Sequence, residues 1–123
     1  PLHATCVRVP VVATHAEAVW LETEDAASPD QVRSVLQTMP GVEVLDAPSR
    51  GAYPTAALAA GREPVYVGRV RRDPTHPRGL SLWIVADNIL KGAALNAVQI
   101  AERLVDGDGS GASPTSRFAT GRS

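Results

Sequence analysis

A single cysteine, Cys6, is all the thiol chemistry that this 123-residue chain carries. One thiol excludes an internal disulfide and suits a reducing cytoplasm. Three histidines are present, and no His/Cys cluster has metal-ligand spacing, so no zinc site is expected. No run approaches the ~20 consecutive apolar residues that a membrane-spanning helix needs. The opening Pro1-Leu2-His3 shows neither a basic n-region nor a long apolar h-region, so no signal peptide is visible. Charge of one sign is lacking as well: 12 Lys and Arg stand against 13 Asp and Glu, for a formal net charge of −1. The basic residues are scattered rather than concentrated, which argues against a nucleic-acid surface. No G-x-G-x-x-G loop occurs, so the chain has no phosphate cradle for a dinucleotide. An initiating methionine is also missing and an apolar run starts almost at once. The chain is therefore expected to be the back part of a longer polypeptide.

What is present suffices for one domain with a single core. Cys6 to Val12 is apolar and β-branched apart from Arg8, which predicts a strand buried on at least one face. Pro10 removes a ladder donor and puts that strand at an edge or interrupts it. Glu17 to Thr23 predicts a second strand, with His15 at an irregular join between the two. Ser28-Pro29-Asp30-Gln31 is a strong helix start: an N-cap serine, proline at the first position and a glutamine that closes a capping box. Val32, Val35, Leu36 and Met39 then share a face, and Pro40-Gly41 ends the helix. Val42 to Asp46 predicts a short strand. Residues 47–63 read as loop with a short helix near Thr55 to Ala60.

Val65 to Arg71 predicts an alternating strand, with Val65, Val67 and Arg69 on one side and Gly68 as a point of close approach. A turn-rich connector, 73–79, leads to a strand over Leu80 to Val85 that is apolar on both faces and so central. The last helix, about Leu90 to Val105, is apolar around most of its circumference and outruns what this domain can cover. The Gly/Ser/Asp-rich tail, 106–123, has the composition of a disordered segment. The expected architecture is α+β: a mixed, largely antiparallel sheet with helices packed on one face.

Three blocks carry a resemblance: Thr5-Cys6-Val7-Arg8-Val9-Pro10-Val11, then Val65 to Pro74, then Leu80 to Glu102 with Asp87-Asn88-Ile89-Leu90-Lys91-Gly92-Ala93-Ala94 inside it. In this order they resemble the C-terminal half of the aspartate-semialdehyde dehydrogenases, over roughly residues 4–104. The resemblance implies a substrate-binding and dimerisation domain over 1–105, in which helix 88–105 returns to a nucleotide-binding domain outside this chain. It implies NADP-dependent interconversion of L-aspartate 4-semialdehyde and phosphate with L-aspartyl 4-phosphate. That step feeds lysine, methionine, threonine and diaminopimelate synthesis in the cytoplasm. A homodimer is implied, and whether dimers pair into tetramers stays open.

From the residues alone, Arg8 is either a structural edge-strand arginine or a carboxylate clamp. The resemblance makes it the residue that grips the substrate's α-carboxylate, where a two-pronged guanidinium fixes as well as binds. His15 is by itself an ordinary polar residue at a strand end. By resemblance it is the acid–base group. The family pattern sets this histidine between glycine and serine, whereas Thr14 and Ala16 flank it here. Asp87 or Asn88 reads as a helix cap, and the resemblance makes Asn88 a cofactor-binding amide beside the nicotinamide. Cys6 matches a packing position in the family pattern; the nucleophilic cysteine belongs to the half that this chain does not contain. Arg69, Arg71 and Arg72 face solvent or a partner subunit, and His3 and His76 are surface residues. Two other readings stay open: half of an N-acetyl-glutamyl-phosphate reductase-like enzyme, and a non-catalytic dimerisation module.

Overall fold

The chain forms, in order, β1 (His15–Glu22), α1 (Pro29–Gln37), β2 (Val42–Val44), α2 (Ala56–Ala59), β3 (Val65–Arg72), β4 (Gly79–Ala86) and α3 (Leu95–Asp106). A 3-10 turn at Pro48–Arg50 and a π-helical turn at Leu90–Ala94 complete it. This computed structural model describes residues 2–106. The expected disordered tail, apart from Asp106, lies outside the described residues.

The four strands order as β1-β4-β3-β2. β4 pairs antiparallel with both β1 and β3, and β2 joins β3 in parallel. A mixed, largely antiparallel sheet with a central β4 is what the two-faced apolar pattern of Leu80 to Val85 requires. Leu80 and Val85 are fully buried there.

Helix α1 starts as its sequence dictates. Ser28 Oγ accepts from the Gln31 amide at 3.2 Å, and Gln31 Oε1 accepts from the Ser28 amide at 2.8 Å. These two bonds satisfy orphan donors of the first turn. Gly41, at φ +74°, turns the chain out of the helix into β2. Val32 and Leu36 pack with Val67, Val70 and Leu82 on one face of the sheet. Val35 and Met39, expected on the same buried face, stay exposed because α1 lies over the β2–β3 side and meets the sheet along a narrow stripe. The opposite face gathers Tyr66, Val85 and Ala59, with Leu58 and Trp83 against them. Among the described residues the four-residue α2 and the Pro54 segment before it lie on that face; Trp83 is half-buried and its indole N–H donates to the Pro54 carbonyl at 3.0 Å.

Strand β3 departs from uniform alternation. Gly68 faces Trp83 and Arg71 faces Ser81, so Arg69 and Val70 together oppose a single residue of β4. This bulge puts Val70 in the core beside Val67 and turns Arg69 outward at φ +52°. The expected grouping of Arg69 with Val65 and Val67 fails for that reason. Asp46 holds the bulge, accepting from the Arg69 and Val70 amides at 2.8 and 3.1 Å and from Arg33 Nε at 2.6 Å. Arg33 also donates to the Val70 carbonyl at 2.8 Å. Its guanidinium is pushed above its usual range, first by the hydrogen bond to Asp46. Gly68 is the expected point of close approach: a Cβ there would lie 2.3 Å from the Leu45 carbonyl oxygen and 2.5 Å from Pro54 Cδ.

The first expected strand is absent. Residues 2–14 form no strand, and Val7, Val9, Val11 and Val12 are exposed. A strand needs a partner ladder, and among the described residues β1 pairs only with β4. Cys6 is likewise exposed rather than packed. The second strand starts earlier than expected, so His15 is its first residue and the irregular join is Thr14, at φ +109°. Helix α3 begins five residues later than expected, because Leu90–Ala94 forms the π-helical turn, and it leaves Val98, Ile100, Leu104 and Val105 exposed.

Candidate functional site

The site is built at one end of the β1–β4 pair. His15 opposite Ala86 is the last rung of that ladder. Beyond it, each strand meets a polar residue of the other: Thr14 on the way into β1, and Asp87-Asn88 on the way out of β4.

Asp87 is buried and anchors the exit. One carboxylate oxygen accepts from the Ile89 and Leu90 amides at 2.8 and 3.1 Å, and the other from the Gly61 amide at 2.7 Å. The donated bonds, that from Gly61 foremost, hold its carboxyl below the usual carboxylate range. Of the two cap candidates, Asp87 is therefore the one that caps. Asn88 reaches back instead: its Oδ1 accepts from the Thr14 amide at 2.7 Å, across 74 residues of sequence. The bond uses the amide oxygen and leaves the NH2 donors outside it. Directly after Asn88 the chain makes its π-helical turn, closed by the Ala94 amide on the Ile89 carbonyl at 3.2 Å. Such turns occur often at functional sites.

Thr14 is the strained member. It is 5% exposed, its Oγ1 is buried without a hydrogen-bond partner, and its φ of +109° lies where L-residues seldom sit. A β-branched residue persists there only when its surroundings over-determine it. His15 itself is exposed. The structure thus brings Asn88 and the His15 segment together through Thr14. Arg8 lies on the exposed, strandless stretch, and no hydrogen bond or ion pair among the described residues joins it to His15. Among the described residues no group of His, Cys, Asp or Glu is placed to hold a metal, and no helix is long and apolar enough to cross a membrane.

A separate cleft of about 370 Å³ opens on the α2 face, lined by Tyr53, Pro54, Thr55, Ala56, Arg69 and Trp83. The Arg69 guanidinium sits 5.4 Å from the centre of the Tyr53 ring. Arg8, His15 and Asn88 take no part in it. His76 is half-buried rather than fully at the surface, 3.6 Å from Glu22.

A protein-family model described as "Semialdehyde dehydrogenase, dimerisation domain" matches residues 1–91. The chain belongs to the semialdehyde dehydrogenase dimerisation-domain family. Among its relatives, the aspartate-semialdehyde dehydrogenase of Aquifex aeolicus is 55% identical over 102 residues, 83% of this chain and 30% of the relative. That of Bacillus subtilis is 47% identical over 102 residues, 82% of this chain and again 30% of the relative. In structure, the chain is similar to aspartate semialdehyde dehydrogenase II of Vibrio cholerae complexed with ASA: TM-score 0.78, 48% identity, 85% of this chain and 31% of that one. The chain spans about 30% of the length of the relatives it matches. The α+β sheet described above is thus the fold of a semialdehyde dehydrogenase dimerisation domain.

Two features of this semialdehyde dehydrogenase domain escape the sequence reading. The Arg33–Asp46 clamp on the β3 bulge has no local signal, because its partners lie 13 to 37 residues from Arg33. The Thr14–Asn88 bond joins residues 74 apart and likewise has no local signal; what marks the position is the positive φ of Thr14, a conformation that glycine adopts most readily.

Proposed function

We propose that this chain is the substrate-binding and dimerisation part of an aspartate-semialdehyde dehydrogenase. The complete enzyme reduces L-aspartyl 4-phosphate with NADPH to L-aspartate 4-semialdehyde, releasing phosphate and NADP⁺. The observation that carries this reading is 47–55% identity to aspartate-semialdehyde dehydrogenases over more than four-fifths of the chain. Arg8, His15 and Asn88 are the residues on which it rests.

In this reading Arg8 takes the substrate's α-carboxylate in a two-pronged grip, which fixes the reacting carbon as well as binding it. Its position on an exposed, unpaired stretch suits a group that meets a ligand rather than an internal carboxylate. His15 moves the proton: it accepts one from the attacking thiol, which lies outside this chain, and supports proton transfer as the tetrahedral adduct collapses. Asn88 has its amide oxygen engaged by Thr14 and its NH2 left over, a donor set that fits the carbonyl oxygen of a nicotinamide carboxamide. NADPH, when bound, supplies the hydride. The sequence has no phosphate-cradling loop, so the rest of the nucleotide is held elsewhere. The match to a dimerisation domain supports a homodimer, and the lone free cysteine supports a cytoplasmic enzyme.

The test is to express the whole open reading frame that contains this chain and follow NADPH formation from L-aspartate 4-semialdehyde. Formation that requires both phosphate and NADP⁺ is expected, with none from the 123-residue chain alone. A complete product that turns over only N-acetyl-glutamate 5-semialdehyde, or nothing, overturns the reading.

A further inference from the structure

We propose that Asn88 is a positioning residue for His15, acting through its oxygen on the backbone of Thr14, and that its amide NH2 is what it offers a ligand. This rests on the reading of His15 as the acid–base group.

The Thr14 amide donates to Asn88 Oδ1 at 2.7 Å, the one side-chain hydrogen bond in the described residues that crosses from the segment before β1 to the segment after β4. Both ends of that bond are informative. On the Asn88 side the backbone is rigid: the Asp87 carboxylate pins Ile89, Leu90 and Gly61 from the preceding residue. On the Thr14 side the backbone is strained, at φ +109° with a buried, unpartnered hydroxyl. A residue left free would leave that conformation for the β or α region. The rigid side therefore holds the strained side, and the next residue along the chain is His15. Release of Thr14 would turn the peptide that enters His15, whose ladder partner at that end, among the described residues, is Ala86. The direction in which the imidazole leaves the sheet is set by that peptide.

One lone pair of the Asn88 oxygen is committed to Thr14, whereas the NH2 donors take no part in that bond. The two functions of Asn88 then fall on different atoms, so they separate on substitution. Asn88→Asp keeps an acceptor for Thr14 and loses the donors, whereas Asn88→Ala loses both.

The experiment has two arms. In the 123-residue chain, hydrogen exchange of the Thr14 amide is measured by NMR for the wild type, Asn88→Asp and Asn88→Ala, beside global stability from urea melts. Protection in the first two and exchange at least about tenfold faster in Asn88→Ala is expected. An unprotected Thr14 amide in the wild type, or equal protection in all three, overturns the proposal; the wild-type arm stands even if Asn88→Ala fails to fold. In the complete polypeptide, Asn88→Ala should lower kcat as well as raise KM for the nucleotide. Asn88→Asp should restore most of kcat while KM for the nucleotide stays raised. Equal kcat losses in both variants would make Asn88 a ligand contact only and overturn the positioning role. His15→Ala at full rate would sink the acid–base reading instead, and would leave the exchange result untouched.

Discussion

Replacing Thr14 with glycine should stabilise this domain, although the residue is buried and makes a backbone hydrogen bond. Two costs sit at Thr14. A β-branched residue at φ +109° stores about 1–3 kcal/mol of backbone strain. The buried Oγ1 without a partner costs about 1–3 kcal/mol more. Glycine removes both. Against this, it raises the entropy of the unfolded chain by about 0.5–1 kcal/mol, and it gives up roughly 1 kcal/mol of methyl burial. The balance is a gain of about 2 kcal/mol, which at this domain size raises Tm by about 10 °C. Glycine keeps the N–H that Asn88 accepts from, so the bond between the two strand ends survives. Thermal and urea melts followed by circular dichroism measure the gain. Thr14→Ala separates the two costs, since it deletes the hydroxyl and keeps the strain, and its Tm should fall between the other two. A Thr14→Gly protein that melts at or below the wild-type temperature would refute the reasoning, because the strain would then not exist.

Three further outcomes follow from the packing. Gly68→Ala drives a Cβ against the Leu45 carbonyl and Pro54, backbone and ring that cannot swing aside, and should cost about 1–3 kcal/mol or more in urea melts. Asp46→Ala strips the acceptor from the Arg69 and Val70 amides and from Arg33, for a loss of about 2–4 kcal/mol; Arg33→Ala should then cost less in that background than in the wild type, since only its bonds to the Val70 carbonyl and Asp30 are left to lose. Asp87 has its folded carboxyl below its ordinary value of 3.8, so its contribution is whole above that pH and fades as the pH falls through the lower, folded value. An acid titration of stability should steepen below about pH 4, and Asp87→Asn should flatten it while lowering stability at neutral pH.

Much of the fold was legible where local chemistry decides it. The Ser28–Gln31 capping box and the Gly41 exit specify α1 from residues at most four apart, and both appear in the structure. The apolar faces of Leu80 to Val85 demanded a central strand, and β4 is central. Reading failed where a partner far along the chain decides. Cys6 to Val12 has the composition of a strand, yet composition does not supply a neighbouring ladder, and none of the described residues does. Alternation through β3 assumed one residue per rung, and Asp46 from another segment holds an extra residue there. The site divides in the same way. Arg8, His15 and Asn88 were named from motif resemblance, whereas the contact that ties Asn88 to the His15 segment spans 74 residues and leaves no local pattern.

The measurement that bears most directly on the account is steady-state kinetics of the complete polypeptide with Arg8→Lys and His15→Ala. The expected result is a split: Arg8→Lys raises KM for the semialdehyde by at least about tenfold, since lysine cannot reproduce the two-pronged grip. His15→Ala lowers kcat by roughly 10²-fold or more. Wild-type KM in the first variant together with wild-type kcat in the second would contradict the account, and would leave this domain with assembly alone as its task.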